Sequence, residues 1–201
     1  RYSPVAVALV IVLVLVLGSY DPAAAIRYGE LDGTDHPYVG LAVFDDPDGN
    51  PMWRCTGTLI SPTVFLTAGH CTFGAARATI WFEPHVQRGD PAFNYPIGGP
   101  TSVDGTPYTH PQYDPNAFFL FDLGVVVLDE PVDMDEYGAL PEQDQLDAMA
   151  RRRGQQDVTF TAVGYGLQES FPDPASFLEN NARVRMVANP HLLQINAPGF
   201  T

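Results

Sequence analysis

Leu66-Thr67-Ala68-Gly69-His70-Cys71 is the stretch on which the reading of this 201-residue chain turns. It closes a short, wholly apolar run at residues 64–68 that reads as a strand, and Gly69 marks the turn after it. A histidine at a strand-to-turn junction is held rigidly while its ring still faces a cleft. The chain's other cysteine, Cys55, lies sixteen positions upstream in Cys55-Thr56-Gly57-Thr58-Leu59-Ile60-Ser61. Residues 52–60 read as a strand, and 38–44 (YVGLAVF) as the strand before it. Between them Asp45-Asp46-Pro47-Asp48-Gly49-Asn50 is a dense turn signal, so the two form a hairpin. Asp45, Asp46 and Asp48 also resemble the start of a calcium loop, but the later ligands and closing glutamate of an EF-hand are missing.

Outward from this hairpin the same pattern continues. Residues 78–82 (ATIWF) read as a strand, 98–105 as loop, and 123–128 (LGVVVL) as a buried strand. Residues 142–152 form the one convincing helix, with Arg151-Arg152-Arg153 in its last turn and Gly154 just beyond, an arrangement that suits the helix dipole and a glycine cap. The arginine run also fits a processing site. Residues 158–165 and 182–187 read as further strands. Many short strands, with 18 Gly and 19 Pro, argue a β-barrel or sandwich. Apolar residues at 45% and charged residues at 17% place the chain among globular proteins. A net charge of −14 argues against nucleic-acid binding by phosphate neutralisation and against anionic membrane surfaces.

The N-terminal residues bear on compartment. An apolar run at 5–18 follows Arg1 and precedes Ala23-Ala24-Ala25, which is the layout of a secretory signal cleaved before Ile26. The alternative is a membrane anchor, but fourteen helical residues span only about 21 Å of a hydrocarbon core about 30 Å thick. A chain that opens on Arg rather than Met is expected to be a fragment.

Asp122 lies 52 positions after His70, directly before the strand at 123–128. A carboxylate at the mouth of an apolar strand is partly desolvated, and it can orient one imidazole nitrogen and stabilise the imidazolium. His70 and Asp122 are thus candidates for general base and orienter in nucleophilic acyl transfer. Asp114 and Asp133 compete weakly, since neither precedes a buried strand. His36, His85, His110 and His191 are scattered and read as surface or structural. Cys55 and Cys71, if cross-linked, close a loop of about 15 residues, worth about 3 kcal/mol. They could also be free or bind metal, although two Cys with one adjacent His make a poor zinc set.

Together these residues resemble the trypsin-like, chymotrypsin-fold serine proteases. Leu66-Thr67-Ala68-Gly69-His70-Cys71 is similar to that family's catalytic histidine motif. Cys55-x-Gly57-x-Leu59-Ile60 resembles its first half-cystine strand, and Asp122-Leu123-Gly124-Val125-Val126-Val127-Leu128 its aspartate strand. His36-Pro37-Tyr38-Val39-Gly40 and Val163-Gly164-Tyr165-Gly166 resemble the strands that open the two barrels. The resemblance covers about residues 26–187. It implies an all-β fold of two six-stranded antiparallel Greek-key barrels, the second incomplete. Residues 1–25 would be the signal, 26–139 the first barrel with His70 and Asp122, and 140–201 a linker helix and partial second barrel. It also implies a Cys55–Cys71 disulfide, a mature N-terminus at Ile26 and a protein or peptide substrate; no cofactor is expected, nor, from the ligand set and the short apolar run, a metal or a stable membrane anchor.

The departures are specific. The chain has six serines, Ser3, Ser19, Ser61, Ser102, Ser170 and Ser176, and none has glycine on both sides. Only Ser170 and Ser176 follow Asp122, and neither sits in a glycine-rich turn able to supply oxyanion-hole N–H groups. No nucleophile is therefore assigned. Ile26-Arg27-Tyr28-Gly29 lacks the family's double glycine after the isoleucine. The expectation is a secreted serine endopeptidase whose nucleophile segment is missing, so that this chain is inactive. The alternative is a non-catalytic homologue acting as a binding protein.

Overall fold

The computed structural model describes residues 29–145, 158–166 and 183–191. Its elements are β1 (Glu30–Leu31), β2 (Val39–Asp45), β3 (Pro51–Ser61), β4 (Val64–Thr67), the helical turn α1 (Gly69–Thr72), β5 (Arg77–Trp81), β6 (Val103–Thr109), a 3-10 turn (Pro115–Ala117), β7 (Gly124–Leu128), β8 (Ala162–Gly164) and β9 (Met186–Ala188). Strands β2-β3-β4-β7-β6-β5 close into an antiparallel barrel, sealed where β5 returns to pair with β2. Three consecutive strands followed by a fourth lying beside the first make a Greek key. Of the second barrel, the described residues hold β8 and β9, which β1 extends into a three-stranded sheet in the order β1-β9-β8.

The apolar run at 38–44 lacks alternation because β2 is buried on both faces. Ala42 and Phe44 point into the barrel with Leu59, Phe65, Ile80, Val126 and Leu128. Val39, Leu41 and Val43 point outward and are covered by Trp81, Val86, Tyr95 and Tyr165. Burying each such side chain contributes roughly 1.5–3 kcal/mol. Two indole N–H groups in these layers are satisfied, Trp81 by the Phe93 carbonyl at 3.0 Å and Trp53 by the Cys71 carbonyl at 2.8 Å.

The β2–β3 turn is a hairpin turn as read from the sequence. Asp46 takes N–H donors from Asp48 and Asn50 at 2.9 and 2.8 Å, and the Asn50 side chain reaches both of its oxygens. Three expectations are corrected. Residues 98–105 are not all loop, since β6 begins at Val103 and runs to Thr109. Its composition hid it, for it carries Gly105 and Pro107. Pro107 is tolerated because β5 pairs only with residues 103–105, so beyond them β6 has β7 as its one neighbour and needs no second ladder. The strand at 123–128 is buried on one face only, with Leu123 47% and Val127 41% exposed. The strand expected at 158–165 shortens to β8, the one expected at 182–187 starts later and runs one residue further as β9, and Thr159 is joined to His191 by a single bridge. Of the helix expected at 142–152, residues 142–145 form a turn closed by the Gln145 N–H on the Glu142 carbonyl, and the rest lies outside the described residues. The 1–25 segment and Ile26 lie outside them too.

A buried ion pair joins the barrel to the small sheet. Arg185, 1% exposed, donates to Asp32 (2.7 Å) and to the carbonyls of Gly33 (2.7 Å), Val39 (3.1 Å) and Phe82 (2.8 Å). The other Asp32 oxygen meets His36 Nδ1 at 2.5 Å. Burial pushes the Asp32 carboxyl up, but the His36 and Arg185 hydrogen bonds outweigh it and hold the group below the ordinary range. A planar guanidinium with several donors is suited to saturating a buried junction of this kind.

Candidate active site

His70 is the second residue of α1, immediately after β4. The residue before α1, Ala68, offers no side-chain cap. Asp122 supplies the missing acceptor from outside. Its Oδ1 accepts the His70 backbone N–H at 2.6 Å, and its Oδ2 meets His70 Nδ1 at 2.8 Å. Orphan N–H groups at a helix start are normally taken by a local side chain, and here a carboxylate 52 positions away takes them.

Two glycines allow this approach. A Cβ on Gly69 would lie 2.9 Å from the Leu123 nitrogen and 3.0 Å from its oxygen, and a Cβ on Gly124 would lie 2.4 Å from Thr72 Oγ1. Thr72 fastens the turn by donating to the Gly69 carbonyl at 3.1 Å, and its hydroxyl meets that of Thr109 on β6 at 2.8 Å. On the other side Cys71 is bonded to Cys55 of β3, with Cα atoms 6.3 Å apart, and Thr67 donates to the Thr56 carbonyl at 3.0 Å. Three strands and a disulfide therefore grip the four residues that carry His70.

The electrostatics follow from this geometry. Partial burial raises the Asp122 carboxyl pKa, but hydrogen bonds from the His70 ring, from the His70 backbone and from Gly69, with the attraction of His70, bring it below the ordinary aspartate range. A carboxylate only accepts, so Nδ1 of His70 carries the proton and the Nε2 lone pair is left to act. The His70 side chain is 55% exposed against 26% for Asp122, so the imidazole faces outward while its partner is sheltered. Nearby, desolvation and the charges of Asp122 and Asp114 push the Tyr113 hydroxyl up.

The structure thus brings together His70, Asp122, Cys55 and Cys71. Asp114 caps the 3-10 turn instead, accepting from the Asn116 N–H at 2.9 Å, and Asp133 is exposed. The sulfurs of Cys55 and Cys71 lie within 4.8 Å of His70 ligand atoms, but their mutual bond uses up the thiolates a metal would need. Ser102 is engaged in a turn with both backbone groups of Gly99, and Ser61 ends β3. Ser170 and Ser176 lie outside the described residues. The contacts of Gly69 and Gly124 and the Thr72–Thr109 pair escaped the sequence reading, because each is made with a distant segment.

The family model "Trypsin" matches residues 32–192, and the chain belongs to that family. A trypsin of Saccharopolyspora erythraea is 36% identical over 98 residues, covering 49% of this chain and 39% of that protein. Serine protease 7 of Drosophila melanogaster is 31% identical over 112 residues, covering 50% of this chain and 28% of its own length. The matches thus span well under half of these relatives. Among solved structures, HL collagenase superposes with a TM-score of 0.61 at 19% identity, over 86% of this chain and 68% of that one. Among the described residues no helix is long and apolar enough to cross a membrane.

Proposed function

We propose that this chain belongs to a secreted serine endopeptidase in which His70 is the general base and Asp122 its orienter. The observation that carries this reading is the paired contact of one carboxylate with the His70 backbone N–H and Nδ1. In peptide hydrolysis Nε2 takes the proton of an attacking serine hydroxyl and later returns it to the leaving amine. Asp122 holds the tautomer and stabilises the transient imidazolium. Ile26 would be the mature N-terminus after removal of residues 1–25, and the substrate a protein or peptide.

The nucleophile is not among the six serines of this sequence, so the 201 residues alone are inert toward peptide bonds. That same shortage favours a second reading, a homologue that binds a partner without cleaving it. Labelling with a fluorophosphonate distinguishes them. The 201-residue chain should remain unlabelled. A version continued through the next codons of its gene into a Gly-Asp-Ser-Gly stretch should label and cleave peptides, and His70→Ala should abolish both. A stop codon directly after Thr201 would favour the binder, and stoichiometric labelling at Ser170 or Ser176 would overturn the triad assignment.

A further inference from the structure

We propose that Phe121, fixed in a left-handed backbone conformation by its stack on His110, is the positioning residue that aims Asp122 at His70. The inference rests on the reading of Asp122 as the orienter. Three described non-glycine residues have positive φ: Asn94 (44°), Phe121 (53°) and Asp144 (62°). Asn and Asp tolerate that region through their short polar side chains, whereas a bulky aromatic residue does not. Something must therefore hold Phe121 there. Core burial does not, because the side chain is 50% exposed.

What holds it is the end of β6. The Phe121 and His110 rings lie 5.3 Å apart and within 5° of parallel. The Leu123 N–H donates to the Phe121 carbonyl at 2.7 Å, and the His110 N–H donates to the Leu123 carbonyl at 2.8 Å. His110 is itself fixed, its Nδ1 accepting the Gln112 N–H at 3.2 Å and its carbonyl the Tyr113 N–H at 3.0 Å. The connection runs from β6 through His110 to Phe121, and the next residue is Asp122. If Phe121 relaxed to negative φ, the Asp122 Cα–Cβ bond would turn away. Its two oxygens could then no longer reach the backbone N–H and Nδ1 of His70 together. Residues in sparsely populated backbone regions persist where their surroundings over-determine them, and they cluster at reactive sites.

Proton NMR of the 201-residue chain tests this without catalysis. An imidazole Nδ1–H bonded to a carboxylate resonates at low field. His70 should give one such signal, assigned by its loss in His70→Gln, and the distant His36–Asp32 pair should give another that reports on the fold. Phe121→Val, which excludes positive φ, should lose the His70 signal and keep that of His36. Phe121→Gly, which permits positive φ without a ring, should retain it with faster exchange. His110→Phe should keep it and His110→Ala should broaden it. An unchanged His70 signal in a folded Phe121→Val protein would overturn the inference. If Phe121→Val loses both signals it has unfolded, and the His110 pair decides: equal His70 signals in His110→Ala and the native chain would overturn it. Absence of any His70 signal in the native chain would instead sink the pairing of Asp122 with His70.

Discussion

Replacing Gly69 by alanine sets two effects of opposite sign against each other. In a helical turn alanine is favoured over glycine by roughly 0.5–1 kcal/mol, and no positive φ at Gly69 stands against the change. On propensity alone Gly69→Ala should stabilise. However, the new methyl would sit 2.9 Å from the Leu123 nitrogen, 3.0 Å from the Leu123 oxygen and 3.3 Å from the Asp122 carbonyl carbon. Comfortable contacts for a carbon atom lie nearer 3.5–4.0 Å, so the backbone at 122–123 must retreat by about half an ångström. These neighbours are main-chain atoms held by the His110 N–H on the Leu123 carbonyl and by the Leu123 N–H on the Phe121 carbonyl, not side-chain ends that can swing away. Overpacking of this kind costs about 1–3 kcal/mol, which outweighs the propensity gain and leaves a net loss of about 1–2 kcal/mol. At about 2–4 °C per kcal/mol for a chain of this size, the melting temperature should fall by roughly 2–8 °C. The same retreat stretches the 2.6 and 2.8 Å contacts of Asp122 past about 3.1 Å, towards the limit of a good hydrogen bond. Circular-dichroism melts and the low-field proton of His70 measure the two consequences separately. A Gly69→Ala chain that melts higher than the native one, with its His70 signal unmoved, would refute the steric reasoning.

Three further outcomes follow from the structure. Removing the disulfide by the paired change Cys55→Ala and Cys71→Ala should lower stability in urea by about 3 kcal/mol, the loop-closure value for a separation of 16 residues. An unchanged urea midpoint would refute it. Arg185→Leu leaves the Asp32 carboxylate buried without its main cation, a loss of about 3–5 kcal/mol; soluble protein melting within a degree of the native chain would count against that network. Acid should destabilise the fold through Asp122, Asp32 and Asp46, whose folded pKa values all lie below the usual 3.8. Groups lowered in this way contribute fully above the unfolded value, and their contribution is lost as the pH falls below about 3.8 towards the folded one. Asp45, raised by burial, takes up its proton earlier in the folded state and offsets part of that loss. Stability measured between pH 5 and 2 should therefore fall, and Asp45→Asn should steepen the fall; a flat profile would contradict both.

Much of the site was legible because its signals are local and chemically unusual. A histidine between a strand end and a cysteine, and an aspartate at the foot of an apolar strand, carry their meaning within a few residues. The barrel was legible from its punctuation, since the hairpin turn at 45–50 and the apolar run of β2 announce themselves. What stayed hidden depends on pairs of segments far apart. Nothing near Gly69 says that Leu123 will press against it, and nothing near Phe121 says that His110 will lie flat on its ring. β6 was masked by Gly105 and Pro107, which mean loop unless the strand is known to lose one neighbour halfway. Arg183 and Arg185 alternate within an apolar stretch, and that was a usable signal, because a charge on the core side of a strand implies a buried partner.

The pairing of β1 with β9 has a consequence for the order of events during synthesis. Its register joins Glu30 to Val187 and Leu31 to Met186. The six strands of the closed barrel are complete at Leu128, and β9 ends at Ala188, about 60 residues later. At about 5–20 residues per second, a ribosome takes roughly 3–12 s to cover that gap. Barrels of non-local strand pairs close in roughly milliseconds to seconds, so this one should be finished while its N-terminal arm still waits for a partner. During that interval Asp32 has no Arg185 to neutralise it, and the strand edge of β1 is open. The arm is where a nascent chain of this kind is most exposed to a chaperone, or to a protease that cuts before β9 arrives.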